Sequence, residues 1–234
     1  MDILAHGLWA AALAKGANLK NNSNKGVGKV SVWHTAFWGI FPDLFAFTIP
    51  FAWLIIGPLF GDDIPRMGPP EEGEPPPNLD HWAFRLASLL YNYSHSLIIF
   101  AIISIVVLFV RHHSVILSLS KYLDRRPPNS VEFTLYNTKE PNPSQSFRIT
   151  TKKNPWEILG WPLHILIDIP THTYQFYPTP FLWPISTYKF DGISWGTPWF
   201  MIVNYSSLAI VLITLFVMRE KRLTASQKTN NIGS

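Results

Sequence analysis

Apolar residues along this chain fall into five runs separated by polar or Pro-rich stretches, and the runs are too apolar for the faces of a water-soluble bundle. The first covers residues 3–14 and is short for a span. The second, Trp33 to Phe60, carries Pro42 and Pro50, which predict a kink or a split into two pieces. The third runs from Phe84 to Val110, the fourth is short, from Trp156 to Pro170, and the fifth runs from Trp199 to Met218 as an ordinary spanning helix. The pattern predicts an all-α integral membrane protein, a single domain over residues 1–234 with about five membrane-embedded helices, one or two of them short or kinked. The first run could be mistaken for a signal peptide, but Asp2 precedes it and Lys15 follows it, the reverse of a basic n-region.

Between the runs the chain is polar. Residues 61–80 form an acidic, Pro-rich loop with composition typical of extended chain. Residues 111–155 form a long basic loop, in which Val131 to Tyr136 and Phe147 to Thr150 alternate with period two around a Pro-Asn-Pro turn, predicting a small β-hairpin insertion. A basic tail, 219–234, ends the chain.

Charge then orients these elements. Stretches 15–32 and 111–155 and the tail are basic, loop 61–80 holds six acids against one Arg, and loop 171–198 holds only Lys189 and Asp191. Basic stretches on alternate sides follow the positive-inside rule with the N-terminus outside and the C-terminus cytoplasmic. Tyr174, Tyr177, Trp183, Trp195 and Trp199 crowd the outer side as an interfacial belt. The net charge of +4 thus follows topology, and nucleic acid is not an expected partner; membrane lipid is. The chain has no Cys, so disulfides, thiolate metal sites and cysteine nucleophiles are excluded.

Ionisable side chains inside the apolar runs change the picture most, because hydrocarbon penalises them. The fourth run contains His164 and Asp168, four residues apart and therefore on one helix face. His6, Asp43 and His95 each interrupt another run. At about 1.5 Å per residue all five reach one layer between the midplane and the outer leaflet. Imidazole and carboxylate donors suit a divalent metal, zinc first with manganese or iron as alternatives, and five candidates allow more than one ion. The metal would activate a water, with Asp43 or Asp168 as general base in place of ligand. Each residue also has a plainer role: His6 at an interface, Asp43 as a cap after Pro42, His95 in interhelical hydrogen bonds, His164 and Asp168 as a structural pair. His172, after Pro170, reads as a loop histidine with at most a supporting role, and His34, His81, His112 and His113 as solvated.

At these residues the chain resembles the predicted membrane-bound metal-dependent hydrolases, the YdjM-like bacterial inner-membrane proteins, which are distantly similar to zinc-dependent phospholipase C. The matching elements are Ala5-His6-Gly7, Gly39-Ile-Phe-Pro-Asp43, Ser94-His95-Ser96, and His164 to Asp168 with Thr171 and Trp183-Pro-Ile-Ser186. Leu90-Tyr-Asn-Tyr93 departs from the family pattern of His-Arg-Gly before its Thr-His-Ser. The resemblance implies metal-dependent hydrolysis of a lipid-like ester or phosphoester. A transporter or proton relay using the same buried His and Asp, or a non-enzymatic membrane partner, are the rival readings.

Overall fold

A computed structural model of the protein describes residues 2–20, 29–61, 81–124 and 155–232. Six α-helices follow in order: α1 (Ile3–Lys20), α2 (Val32–Ile56), α3 (Trp82–Ser94), α4 (Leu97–Asp124), α5 (Gly160–Thr171) and α6 (Pro198–Ile232). Short 3-10 turns extend α2 at Gly57–Phe60 and precede α5 at Pro155–Leu159. Among the described residues there is no strand, only an isolated bridge between Thr173 and Phe176. The acidic loop and the expected β-hairpin lie outside the described residues. By internal contacts the chain divides into two units, residues 1–100 with 154–234, and residues 101–153; every candidate site residue belongs to the first.

Not all five expected segments can cross a membrane. Two helical stretches are long and apolar enough, Val32–Phe60 and Pro198–Ala225, and a third joins them only if Trp82–Ser94 and Leu97–Val110 count as one interrupted span. With 12 residues, α5 reaches only about 18 Å against a hydrocarbon core of about 30 Å. α1 has 18 residues, but Lys15, Asn18 and Lys20 make its last turns polar. Two further expectations change. The helix α2 continues unbroken through both Pro42 and Pro50, which are buried. And α4 extends to Asp124, so residues 111–124 of the expected loop are helical.

The distribution of polarity is inverted relative to a water-soluble domain. Fully buried side chains include His6, His95, His164, Thr35 and Asp168, whereas Ile202, Ile210 and Ile213 of α6 are 63–68% exposed. Such an apolar exterior suits lipid as solvent. Tyr177, expected in the interfacial belt, instead packs in the core with Ala46, Ala87 and Tyr91.

Without a hydrophobic drive between helices in lipid, close backbone approach and interhelical hydrogen bonds must hold the bundle. Both are present. A β-carbon at Gly39 of α2 would lie 2.6 Å from the Ala10 side chain of α1, and one at Gly160 of α5 would lie 2.2 Å from the Thr35 carbonyl oxygen of α2. Trp9 Nε1 donates to Asn204 Oδ1 at 3.0 Å, and the Tyr205 hydroxyl donates to Asp2 Oδ1 at 2.8 Å, joining α1 to α6. The chain beyond α5 folds back over that helix: the backbone amides of Gly192, Ile193 and Trp195 donate to the carbonyls of His172, Pro170 and Thr171 at 2.8–3.1 Å. This strap satisfies acceptors that a helix end otherwise leaves open.

The Gly160 contact makes a measurable difference. Gly160→Ala forces α5 away from α2 and should destabilise the detergent-solubilised protein by about 1–3 kcal/mol, the usual range for overpacking. Gly16→Ala, whose β-carbon would meet nothing closer than 3.7 Å, should be neutral or slightly stabilising. Thermal melting of the two variants side by side reads the difference; equal melting temperatures would contradict close α2–α5 packing.

Candidate metal centre

Helix geometry brings the first pair together: His164 and Asp168, one turn apart on α5, face the same way, with His164 Nε2 3.0 Å from Asp168 Oδ2. The third member depends on a break. The expected third segment stops at His95, which caps α3, and restarts at Leu97. Ser96 makes that restart possible: its Oγ accepts from the amides of Ile98 and Ile99 at 3.1 and 3.2 Å, as an N-cap residue does, and its hydroxyl donates to the Trp183 carbonyl. The other open groups at the break also find partners, the Leu97 amide at Phe181 O and the Ser94 carbonyl at Trp161 Nε1. The Ser-His-Ser element is thus a satisfied helix break that swings an imidazole inward.

His95 Nε2 lies 3.4 Å from Asp168 Oδ2, 3.4 Å from Asp43 Oδ1 and 3.0 Å from His164 Nε2. His164 Nε2 is 3.7 Å from Asp43 Oδ1. Asp43, His95, His164 and Asp168 therefore present four ligand atoms within 4.8 Å of one another, all buried, a group that could hold a metal ion. His6 joins from α1, its ring stacked on His164 at 3.6 Å and its Nε2 2.9 Å from Asp168 Oδ1. The fold brings all five expected residues together.

The proton inventory leaves room for a cation. His164 Nδ1 is 2.7 Å from the Gly39 carbonyl oxygen, which can only accept, so this nitrogen carries the hydrogen and a neutral ring turns its lone pair at Nε2 toward the carboxylates. His95 Nδ1 is paired with Ser94 Oγ at 2.8 Å. The two facing Nε2 atoms must then either share one proton or share a cation. In addition, His6 Nδ1 and Asp43 Oδ2 make no hydrogen bond among the described residues, whereas His6 Nε2 pairs with Asp168 Oδ1 at 2.9 Å. Buried polar atoms are seldom left in that condition. The outer nitrogens of both imidazoles are meanwhile held, as they are in metal sites.

His172 matters more than the sequence indicated. It is buried, its Nδ1 lies 3.2 Å from the Asp168 carbonyl oxygen and 3.4 Å from Asp168 Oδ1, and burial pushes its pKa down to about 3, so the ring is neutral. Its spacing was a usable signal: His164, Asp168 and His172 recur every four residues. Asp2 is a second unexpected participant, since its Oδ1 accepts the Ala5 amide at the start of α1 while Oδ2 is buried. Asp2, Asp43 and His172 line a cavity of about 330 Å³ whose apolar lining includes Leu4, Phe47 and Phe176. That volume lies at the lower end of the range for small-molecule sites. Tyr177, also on its wall, holds a left-handed backbone (φ 47°), a conformation that costs of order 1–3 kcal/mol and is retained by burial of its ring against Phe47 and Tyr91. His34 is exposed, as expected, while His81 stacks on Trp53 at 4.0 Å.

If the cluster binds a cation, metal and stability are linked. Reloading a chelated sample with divalent metal at about one hundred times its Kd should add about 2.7 kcal/mol, visible as a rise in melting temperature. Elemental analysis should find near-stoichiometric zinc, manganese or iron, and His164→Ala and Asp168→Ala should lose both signals. Protein that carries no metal after reconstitution, and melts identically with and without divalent ions, would mark the cluster as a hydrogen-bonded network.

Comparison with models of known protein families, with curated proteins and with solved structures found no match to this chain.

Proposed function

We propose that this protein is an integral membrane, metal-dependent hydrolase that cleaves a lipid-like ester or phosphoester. The observation that carries the reading is that one carboxylate, Asp43, belongs both to the four-residue ligand group and to the lining of the apolar cavity. A reacting group held in that cavity would sit against the ligand cluster. The matched elements of the YdjM-like resemblance contribute the same five converging residues, which further supports the reading.

Asp43, His95, His164 and Asp168 would hold the ion, with His6 stacked behind His164. Two imidazoles and two carboxylates suit zinc, manganese or iron. A divalent metal bound there supplies a Lewis acid and a water activated near neutral pH. The protein's own groups divide the remaining tasks. Asp168, approached on both oxygens by imidazoles, anchors the set. Where Asp43 serves as general base in place of ligand, its Oδ2, buried and without a hydrogen bond among the described residues, would take a proton from water in the cavity. His172, with Nδ1–H given to the Asp168 carbonyl, keeps Nε2 as an acceptor for a substrate hydroxyl or water. Leu4, Phe47 and Phe176 exclude bulk water and match an acyl chain. With the N-terminus outside, the site opens toward the outer leaflet of the bacterial inner membrane.

The contiguous imidazoles and carboxylates also favour a second reading, a proton path through His172, Asp168, His164 and His95. One experiment separates the two. Detergent-purified protein should hydrolyse synthetic lipid esters or phosphoesters, lose turnover on chelation and regain it with metal. Asp43→Asn should lower turnover roughly 10²–10⁴-fold, as expected when a positioned base is removed. Absence of hydrolysis from metal-loaded protein, together with proton flux in reconstituted vesicles that His164→Ala abolishes, would overturn the hydrolase in favour of the proton path.

A further inference from the structure

At the other end of α1 lies a second concavity, unconnected with the chemistry above. It has a volume of about 410 Å³ and is formed by the last turns of α1, the chain at Lys29 and the C-terminal part of α6. Its charged lining is Lys15, Lys29, Arg219 and Arg222, and among the described residues no acidic side chain lines it. Helical register explains the composition. Leu212, Leu215, Arg219 and Arg222 recur at spacings of three and four and share one face of α6, with the leucines toward the apolar stretch and the arginines past its end. Glu220, with Lys221 and Lys228, lines a different concavity of α6. The one acid of this helix end is thereby kept off the basic face.

The groove is also built rather than incidental. Asn18 clamps the chain next to Lys29 through two backbone bonds, Nδ2 to Val30 O and Val30 N to Oδ1, each 2.8 Å. The Arg222 guanidinium donates to the Leu19 carbonyl at the end of α1, pinning one wall to the other. Four cations gathered at the end of an apolar helix, over a leucine floor, match a molecule with a phosphate at one end and hydrocarbon at the other. A free phosphate would have no use for the leucines.

We propose that this groove binds the headgroup of an anionic phospholipid of the basic-side leaflet, with the first part of its acyl chains on Leu212 and Leu215. The proposal rests on the reading of α6 as a membrane span. It does not depend on the metal centre, and it assigns the protein a structural lipid on the face opposite its proposed substrate.

The test uses the full chain reconstituted in nanodiscs of mixed phosphatidylglycerol and phosphatidylcholine, with retained lipid counted after mild detergent release. Phosphatidylglycerol should be retained several-fold over phosphatidylcholine. Lys15→Gln with Arg219→Gln should abolish that preference, since each basic residue near an anionic surface contributes roughly fivefold. Lys221→Gln with Lys228→Gln removes the same charge from the other side of α6 and should leave the preference intact. Melting temperature confirms that both double variants are folded. No preference in the unmodified protein, an equal loss in both double variants, or equal stabilisation by inorganic phosphate alone would overturn the lipid site while leaving the span. Failure of the protein to enter bilayers at all would overturn both.

Discussion

The buried centre of this protein's first unit answers to one cost: two carboxylates, Asp43 and Asp168, are held almost entirely out of water. A buried carboxylate is tolerable only with compensating charge or directed hydrogen bonds. The chain surrounds Asp168 with imidazoles from α1, α5, the break after α3 and the C-cap of α5, at 2.9–3.4 Å. Imidazoles compensate as neutral donors only in part, and three of the rings already commit a nitrogen elsewhere, to Gly39 O, Ser94 Oγ and Asp168 O. The remaining lone pairs of Asp43, His95, His164 and Asp168 converge closely enough that the group could hold a metal ion.

The small residues serve the same end. Side chains as short as aspartate reach a common point only if their backbones approach closely, and Gly39 and Gly160 permit that approach between α1, α2 and α5. The aromatic residues supply rigidity. Trp161 stacks on Trp38 with 2° between their planes while its indole nitrogen holds the carbonyl at the helix break, so one side chain ties α5, α2 and α3 together. Tyr91 stacks on His95 at 3.6 Å, a ring contact that orients the imidazole.

The two ends of α1 have opposite characters. Its start carries Asp2, His6 and the apolar cavity, and its end carries Lys15, Asn18 and the basic groove. An alanine-rich helix whose last turns carry Lys15, Asn18 and Lys20 is poor material for a span but suits a strut between two sites. Likewise α5, too short to cross a bilayer, holds His164 and Asp168 and ends at His172, a four-residue spacing that needs only one turn on either side of Asp168.

The residue pattern alone determined the helical class, the apolar exterior and five of the buried ionisable residues, His6, Asp43, His95, His164 and Asp168, because hydrocarbon admits His and Asp so rarely that each one is visible as an exception in an apolar run. It also determined that His164 and Asp168 share a face, since helical periodicity is local. What it could not determine was how many runs span, since length and apolarity fail as guides where α1 and α5 are stabilised by neighbours instead of lipid. Nor could it determine the break at His95 and Ser96, whose stability depends on Trp161 and the Phe181–Trp183 loop far along the chain. The roles of Asp2 and His172 were hidden for the same reason. Their chemistry follows from where α6 and the strap after α5 return, and only tertiary structure decides which distant groups meet a side chain in the interior.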